Sequence, residues 1–180
     1  MKKKIILYII ILISIYCKKN NSIRIDEFEK EIGSSIFIKN FQRVSYDSKG
    51  IIQWKVIASE TYYFINEDRT VLYEIDADQY ENGKIKSFIK ADKGEIKKKE
   101  NRIKAIGNVH VKSIDGKILE AEEIEMDTDS NTITSDKKVT IKSSGTTIRG
   151  TGLIADNSLN KFKILKPEGI SSGGSNPLEK

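Results

Sequence analysis

The stretch RIKAIGNVHVKSIDGKILEAEEIEMDTDSNTITSDKKVTIK, residues 102–142, decides how the rest of the chain reads. Apolar residues fall on every second position within it: Ile103 and Ala105, Val109 and Val111, Val139 and Ile141. Lys, His or Thr stands between them. A period of two turns one side of the chain to an apolar interior and the other to water, which is the pattern of a half-buried β-strand. Asp115-Gly116 interrupts the alternation with residues that suit a tight turn, so strand, turn and strand follow one another.

Working outward, the same pattern fills most of the chain from Ile36. Gln42–Tyr46, Ile52–Ile57, Tyr62–Ile65, Val71–Ala77 and Ile85–Ala91 read as strands, with Asp47–Gly50 a turn between the first two. Asn82-Gly83 is a strong hairpin signal, because both residues accept the positive φ of a type I′ turn. Lys98–Asn101, Asp129–Asn131 and Ser144-Gly145 read as further turns. Tight turns join antiparallel neighbours, so the expectation is a meander of hairpins and not a helix-linked parallel sheet. A loose repeat of about 30 residues supports it. Ala91-Asp92 recurs as Ala121-Glu122 and Ala155-Asp156, and Val109-x-Val111 recurs as Val139-x-Ile141. A strand unit that cannot bury its apolar side alone stacks on its neighbours. The fold class expected is therefore all-β: a long, twisted antiparallel sheet folded over itself, a β-jellyroll with a short N-terminal lead-in. Its two end strands have no partner in the chain, and such edges pair with other proteins.

The chain has 180 residues, enough for one domain and a leader. The divisions expected are a leader at 1–17, a tether at 18–35, the β-domain at 36–168 and a flexible tail at 169–180, where Ser171–Pro177 is rich in Gly and Ser. The formal charge of +5 falls to +2 without Lys2, Lys3 and Lys4 of the leader. The remaining basic residues alternate with Glu and Asp, whereas phosphate backbones require a one-signed patch, so nucleic acid is not the partner.

The apolar run Ile5–Tyr16 follows three lysines and ends at Cys17, the only cysteine. Twelve helical residues reach about 18 Å, short of a hydrocarbon core of roughly 30 Å. A basic start and a short apolar centre read as an export signal. Cys17 at its end resembles the lipidated residue of a bacterial lipoprotein, although Tyr16 stands where that pattern has a small residue. An uncleaved short anchor and ordinary cleavage are the alternatives, and all three place the domain outside the cytoplasm. With a single cysteine no internal disulfide is expected.

Several chemical motifs fail on inspection. Gly150-x-Gly152-x-x-Ala155 matches a dinucleotide pattern, but Asp156-Asn157 follows and no helix presents its N-terminus to a phosphate. Asp127-x-Asp129-x-Asn131 copies the start of a calcium loop, yet Thr132 and Lys138 occupy the positions that need Gly and Glu. His110 is the only histidine, alternates onto the outer side and has no metal-binding companion. Glu120, Glu122, Glu123 and Glu125 read as a solvated sheet face and not as a catalytic pair. No nucleophile motif occurs. No enzyme, metal or cofactor is expected.

The apolar positions of the alternation make the inward set: Trp54, Val56, Tyr62, Phe64, Val71, Tyr73, Ile75, Ile89, Ile103, Val109, Val111, Leu119, Ile133, Val139, Ile141, Ile148, Phe162 and Ile164. They either fill a core or line a groove for acyl chains. Arg43, Lys55, Lys90, Lys104 and Lys112 alternate with them and are candidates for meeting lipid phosphates, or ordinary solubilising charges.

Gly50-x-x-x-Trp54-x-Val56-x-Ala58 resembles the first half of the LptC family, the periplasmic component of lipopolysaccharide export. Ala91–Gly94, Gly107–Val111, Asp115-Gly116, Ile133–Asp136, Val139 and Gly150-x-Gly152-Leu153 resemble its second half and the related OstA/LptA domain. The resemblance covers roughly residues 36–166. It implies a β-jellyroll that holds the lipid A acyl chains of lipopolysaccharide in its lumen. It also implies edge-strand pairing with an LptA-like periplasmic protein and an LptF/LptG-like transporter, and anchorage of the N-terminus in the inner membrane, with the outer membrane the alternative. Many family members keep a longer membrane-spanning helix than this leader provides. The other reading is a structural or surface β-repeat lipoprotein that binds proteins.

Overall fold

Alternation and turn chemistry together yield nine strands: β1 (Ile36–Tyr46), β2 (Ile52–Phe64), β3 (Arg69–Glu81), β4 (Lys84–Lys97), β5 (Arg102–Ser113), β6 (Ile118–Asp127), β7 (Thr132–Ser143), β8 (Thr146–Asp156) and β9 (Phe162–Ser172). The structure is a computed structural model and describes residues 30–172. All nine strands belong to a unit that begins at Gly33. They lie in one sheet in chain order, β1 to β9, and each neighbouring pair runs antiparallel. The all-β meander expected from the turns is the fold observed.

The turns explain the meander. Asn82 (φ 52°) and Gly83 (φ 74°) are both left-handed, as are Ser144 (φ 47°) and Gly145 (φ 79°), so each pair makes the type I′ reversal that suits strand twist. At Asp115-Gly116 only Gly116 is left-handed (φ 88°). There the Gly116 N–H donates to the Ser113 carbonyl at 3.1 Å and the Ser113 N–H to the Lys117 carbonyl at 2.9 Å, a three-residue loop and not the two-residue reversal its sequence suggests.

Two strands expected separately, Ile52–Ile57 and Tyr62–Ile65, are one continuous β2, with Ile65 in the short 3-10 turn that follows. β1 begins at Ile36, earlier than Gln42. β9 continues through Ser172, past the expected boundary at residue 168, and Thr146 pairs with Ser172. The leader, Cys17 and most of the tether and tail lie outside the described residues. Among the described residues no helix is long and apolar enough to cross a membrane.

The alternation does not run unbroken along each strand. A line of irregularities crosses the middle of the sheet, where the register shifts at Lys90/Lys93, Ile106/Val109, Ala121/Glu125 and Ser135/Lys138. Asn40, Glu74, Gly107, Asn108 and Gly152 take positive φ along this line. An extra residue in one strand bends it and increases its twist. It also moves the inward face from odd to even positions or back, because the side-chain period is two. In β4 the buried or half-buried series runs Ser87, Ile89, Ala91 and then Gly94, Ile96. In β6 it runs Leu119, Ala121 and then Ile124, Met126.

With the bulges placed, the inner face forms continuous cross-strand rows. One row passes Val56, Ala77, Ile89, Val111, Leu119, Ile141, Ile148 and Ile170, a partner from each strand β2 to β9. A second passes Leu72, Gly94, Ala105 and Ile124. A third passes Ile96, Ile103, Met126, Ile133, Ala155 and Phe162. The densest part of the core lies between β4 and β8, where Val109, Val111, Leu119, Val139, Ile141 and Leu153 are almost wholly buried.

The sheet bends until distant strand ends meet. Lys86 on β4 donates from Nζ to Asn157 Oδ1 in the β8–β9 loop at 3.2 Å, across 71 residues of chain. Lys117 donates to Asn160 Oδ1 of the same loop. That loop is fixed from within by Asp156, whose carboxylate accepts from the N–H groups of Ser158 (3.0 Å), Asn160 (2.9 Å) and Lys161 (2.9 Å). Burial opposes ionisation of Asp156, but these donors outweigh it and hold its pKa below the usual carboxylate value. The loop's Leu159 is fully buried.

β8 and β9 approach closely at Gly150. A Cβ there would run into the Lys166 carbonyl, the Ile164 side chain and the Pro167 backbone. Gly150→Ala is therefore expected to push β9 off β8 and destabilise the fold by about 1–3 kcal/mol. Urea unfolding would read the loss, and hydrogen exchange should place it in β9.

Candidate functional site

Between the bent halves of the sheet lies a cavity of about 240 Å³. Its existence follows from side-chain size along one row. Gly94 on β4 and Ala105 on β5 stand side by side between Leu72 of β3 and Ile124 of β6; the Ile75 side chain fills the room over Gly94, and the short Ala105 side chain leaves the row open beside it. Ala77 and Ala91 extend the gap along β3 and β4. The walls are apolar: Val56 from β2, Leu72 and Ile75 from β3, Ile89 and Ile96 from β4, Ile103 and Val111 from β5, Ile124 and Met126 from β6, and Ile133 from β7. Trp54 stands at one end with Arg43, Ser45, Gln79, Ser87 and Asn157.

Seven of the residues expected to face inward line this cavity: Trp54, Val56, Ile75, Ile89, Ile103, Val111 and Ile133. Val109, Leu119, Val139 and Ile141 are packed in the solid core beside it, with Phe162 and Ile164 against that core from β9. Ile148 is half-buried in the same row as Ile141. Tyr62, Phe64, Val71 and Tyr73 are on the opposite face of the sheet. The reason is the bulge line. Glu74 (φ 51°) inverts β3, so Leu72 faces the cavity, and Val71 and Tyr73 face away from it. Tyr62 pairs with Val71 and is turned outward with it. There these side chains form a second cluster, in which Tyr62 stacks on Phe37 with centroids 4.7 Å apart.

Sequence reasoning missed Leu72, Ala77, Ala91, Gly94, Ile96, Ile124 and Met126 among the lining residues, and set Ala105 on the apolar side without including it in the inward set. Leu72, Ile96, Ile124 and Met126 obey a period of two that has slipped by one. The alanines and the glycine carry no signal singly, and their effect appears only when the register sets them next to one another.

The charged candidates divide. Lys90 pairs with Asp76 at 2.8 Å and Lys104 with Glu123 at 2.7 Å, and hydrogen bonding to these carboxylates raises both lysine pKa values. Arg43 and Lys104 border the cavity, whereas Lys55 and Lys112 alternate with inward Trp54, Val56 and Val111. Three of the four clustered glutamates have cross-strand basic partners: Glu120 with Lys142, Glu123 with Lys104 and Glu125 with Arg102. His110 is partly exposed, 4.0 Å from Glu120. Asp127 caps its own turn through the N–H groups of Asp129 and Ser130. Among the described residues no group of three His, Cys, Asp or Glu side chains is placed to hold a metal.

At its Trp54 end the cavity adjoins a polar recess of about 490 Å³, with Trp54, Gln79, Met126 and Asn157 lining both. Gln53, Trp54, Gln79, Tyr80, Glu81, Asn82 and Lys86 line one side, and Met126, Thr128, Asn131 and Asn157 the other. A chain of hydrogen bonds crosses it. Asn157 Nδ2 donates to Asn131 Oδ1 at 3.1 Å, and Asn157 Oδ1 accepts from Lys86 Nζ, which also donates to Glu81 Oε1 at 2.9 Å. The site as a whole is therefore amphiphilic: an apolar pocket suited to an alkyl chain, ending at an amide-rich mouth.

Residues 5–167 match the family model described as lipopolysaccharide-assembly, LptC-related. Comparison with curated proteins finds no match. Among solved structures the chain is similar to LptH, the LptA-homologous periplasmic component of the conserved lipopolysaccharide transport device from Pseudomonas aeruginosa. That likeness has 12% sequence identity and a TM-score of 0.48, and covers 69% of this chain and 82% of that one.

Proposed function

The chain belongs to the LptC family of lipopolysaccharide-assembly proteins, and from that premise we propose that it is a non-enzymatic carrier which holds the acyl chains of lipid A in its cavity and passes them across the periplasm to an adjoining β-jellyroll. The observation that carries this reading is the apolar cavity itself, lined by apolar side chains of six strands and bordered by the small Ala77, Ala91 and Ala105 beside a well-packed core. Burying one CH₂ is worth about 0.8 kcal/mol, so a twelve-carbon chain leaving for water loses roughly 10 kcal/mol. Release into water is then very slow, and transfer into an abutting groove avoids the loss.

A volume of about 240 Å³ is below the roughly 300–1,000 Å³ of ordinary small-molecule sites. It takes part of one chain at rest, and holding more requires the two halves of the sheet to part. β1 and β9 stand at opposite ends of the strand order, and each pairs with one strand among the described residues. Their other edges are the surfaces on which an LptA-like protein and an LptF/LptG-like transporter would continue the ladder. The N-terminal segment would tether the domain to the inner membrane, through Cys17 if that residue is lipidated.

Photo-crosslinkers at Ile89 and Ile75 test the cargo. In cells both positions should capture lipopolysaccharide, and a crosslinker at exposed Ile154 should not. Capture of proteins alone at every cavity position would overturn the carrier reading in favour of a protein-binding scaffold.

A further inference from the structure

The recess at the cavity mouth is built differently from a phosphate site. Its lining carries five side-chain amides, Gln53, Gln79, Asn82, Asn131 and Asn157, and a single cation, Lys86. Lys86 is already engaged by Glu81 Oε1 and Asn157 Oδ1, so the pair adds little net charge. A phosphate wants several cations or a nest of backbone N–H groups, and Glu81 would repel it. Amides offer donors and acceptors side by side, which matches hydroxyl groups, each of them both donor and acceptor. Trp54 adds a flat apolar surface on the border between recess and cavity. Aromatic faces beside hydrogen-bonding groups suit a ligand that is apolar on one side and polar on its rim.

From this arrangement we propose that the recess is a binding subsite for the uncharged sugar portion of an amphiphile whose alkyl chain occupies the cavity. The inference rests on the carrier reading for the chain and adds selection by the head group. The sugar ring lies against Trp54, with its hydroxyls reaching Gln53 and Asn157. Asn157 has a central place because it lines both the cavity and the recess. It also ties the β6–β7 turn to β4 through Asn131 and Lys86. A head group that exchanges hydrogen bonds with Asn157 couples its own binding to the bond network spanning the mouth.

Trp54 is the only tryptophan in the chain, so its fluorescence reports the site directly. The full chain is titrated with n-octyl glucoside and with n-octyl phosphate, both kept below their micelle concentrations. The two probes share a chain and differ in the head. The glucoside should bind at least about fivefold more tightly, the equivalent of one net neutral hydrogen bond. Asn157→Ala should remove that preference. Gln53→Ala, which leaves the bonds of Asn157 intact, should reduce it by a smaller factor and covers the case in which Asn157→Ala does not fold. Equal or tighter binding of the phosphate by the unmodified protein overturns the head-group inference alone, as does a preference that survives both substitutions. If neither probe alters the Trp54 signal, the chain-carrying reading falls and the inference falls with it.

Discussion

Ala105→Leu is expected to make the protein more stable and a worse carrier. Ala105 borders the cavity, and its neighbours along the row are Gly94 and the larger Ile124. A leucine at this position extends into the cavity and regains contacts that the void forfeits, because a gap leaves its lining atoms without partners. Cavity-filling substitutions commonly add about 0.5–2 kcal/mol. The same side chain takes the space that an acyl chain needs, so capture of lipopolysaccharide at Ile89 should fall about tenfold, equal to roughly 1.4 kcal/mol of binding. The opposite signs are the content of the prediction. A core alanine with no functional reason to be small would show the gain in stability and no loss of cargo. Unchanged capture, with stability raised, would move the acyl chains elsewhere in the molecule.

That void also marks how far the sequence could be read. The period of two was visible in β5 and β7, where it decides the fold. Ile103 and Ala105 share a face with Val109 and Val111 because Gly107 and Asn108 both take left-handed φ and the odd-numbered series survives the interruption. In β3, β4, β6 and β8 the interruption shifts the face by one residue. Glu74 shows why this was hidden: a glutamate at φ 51° carries none of the Gly or Asn signature of such a position. Hence alternation alone places Val71 and Tyr73 on the inside and leaves Leu72 out. The turn residues, by contrast, were legible individually, because Asn82-Gly83 and Ser144-Gly145 need no distant partner to adopt their geometry.

The 30-residue repeat was partly right for a physical reason. Ala91 and Ala121 both precede the bulge line on their strands, and Gly150 holds the corresponding place on β8, opposite Val139. Ala155-Asp156 is at the strand's end instead, where Asp156 organises the β8–β9 loop. The polar mouth lay beyond sequence reasoning altogether. Lys86 and Asn157 meet only because nine strands have bent through the bulges, and no local pattern announces a contact across 71 residues.

Tyr62→Ala should cost more than any substitution at the cavity wall, about 3–5 kcal/mol, the range for removing a buried aromatic ring. Tyr62 is wholly buried on the face away from the cavity. It stacks on Phe37 of β1, meets Tyr73 of β3 edge to face with centroids 6.0 Å apart, and donates its hydroxyl to Glu60 Oε2 at 3.1 Å. One ring therefore joins the first three strands. Against a total stability of typically 5–15 kcal/mol, the loss is large enough to show as a lowered urea midpoint and as early opening of part of the sheet. β1 is where that opening should begin, because it is an edge strand hydrogen-bonded only to β2 among the described residues. Hydrogen exchange should find the amides of Ile36–Lys39 losing protection before those of β5 or β6. Tyr62→Phe keeps the ring and removes the bond to Glu60, so its cost should be near 1 kcal/mol. If the two variants lose stability equally, the hydroxyl and not the ring holds β1. A β1 that frays in Tyr62→Ala would also offer a poorer edge to a neighbouring jellyroll, so pairing along that edge should weaken while acyl capture at Ile89, on the other face of the sheet, persists.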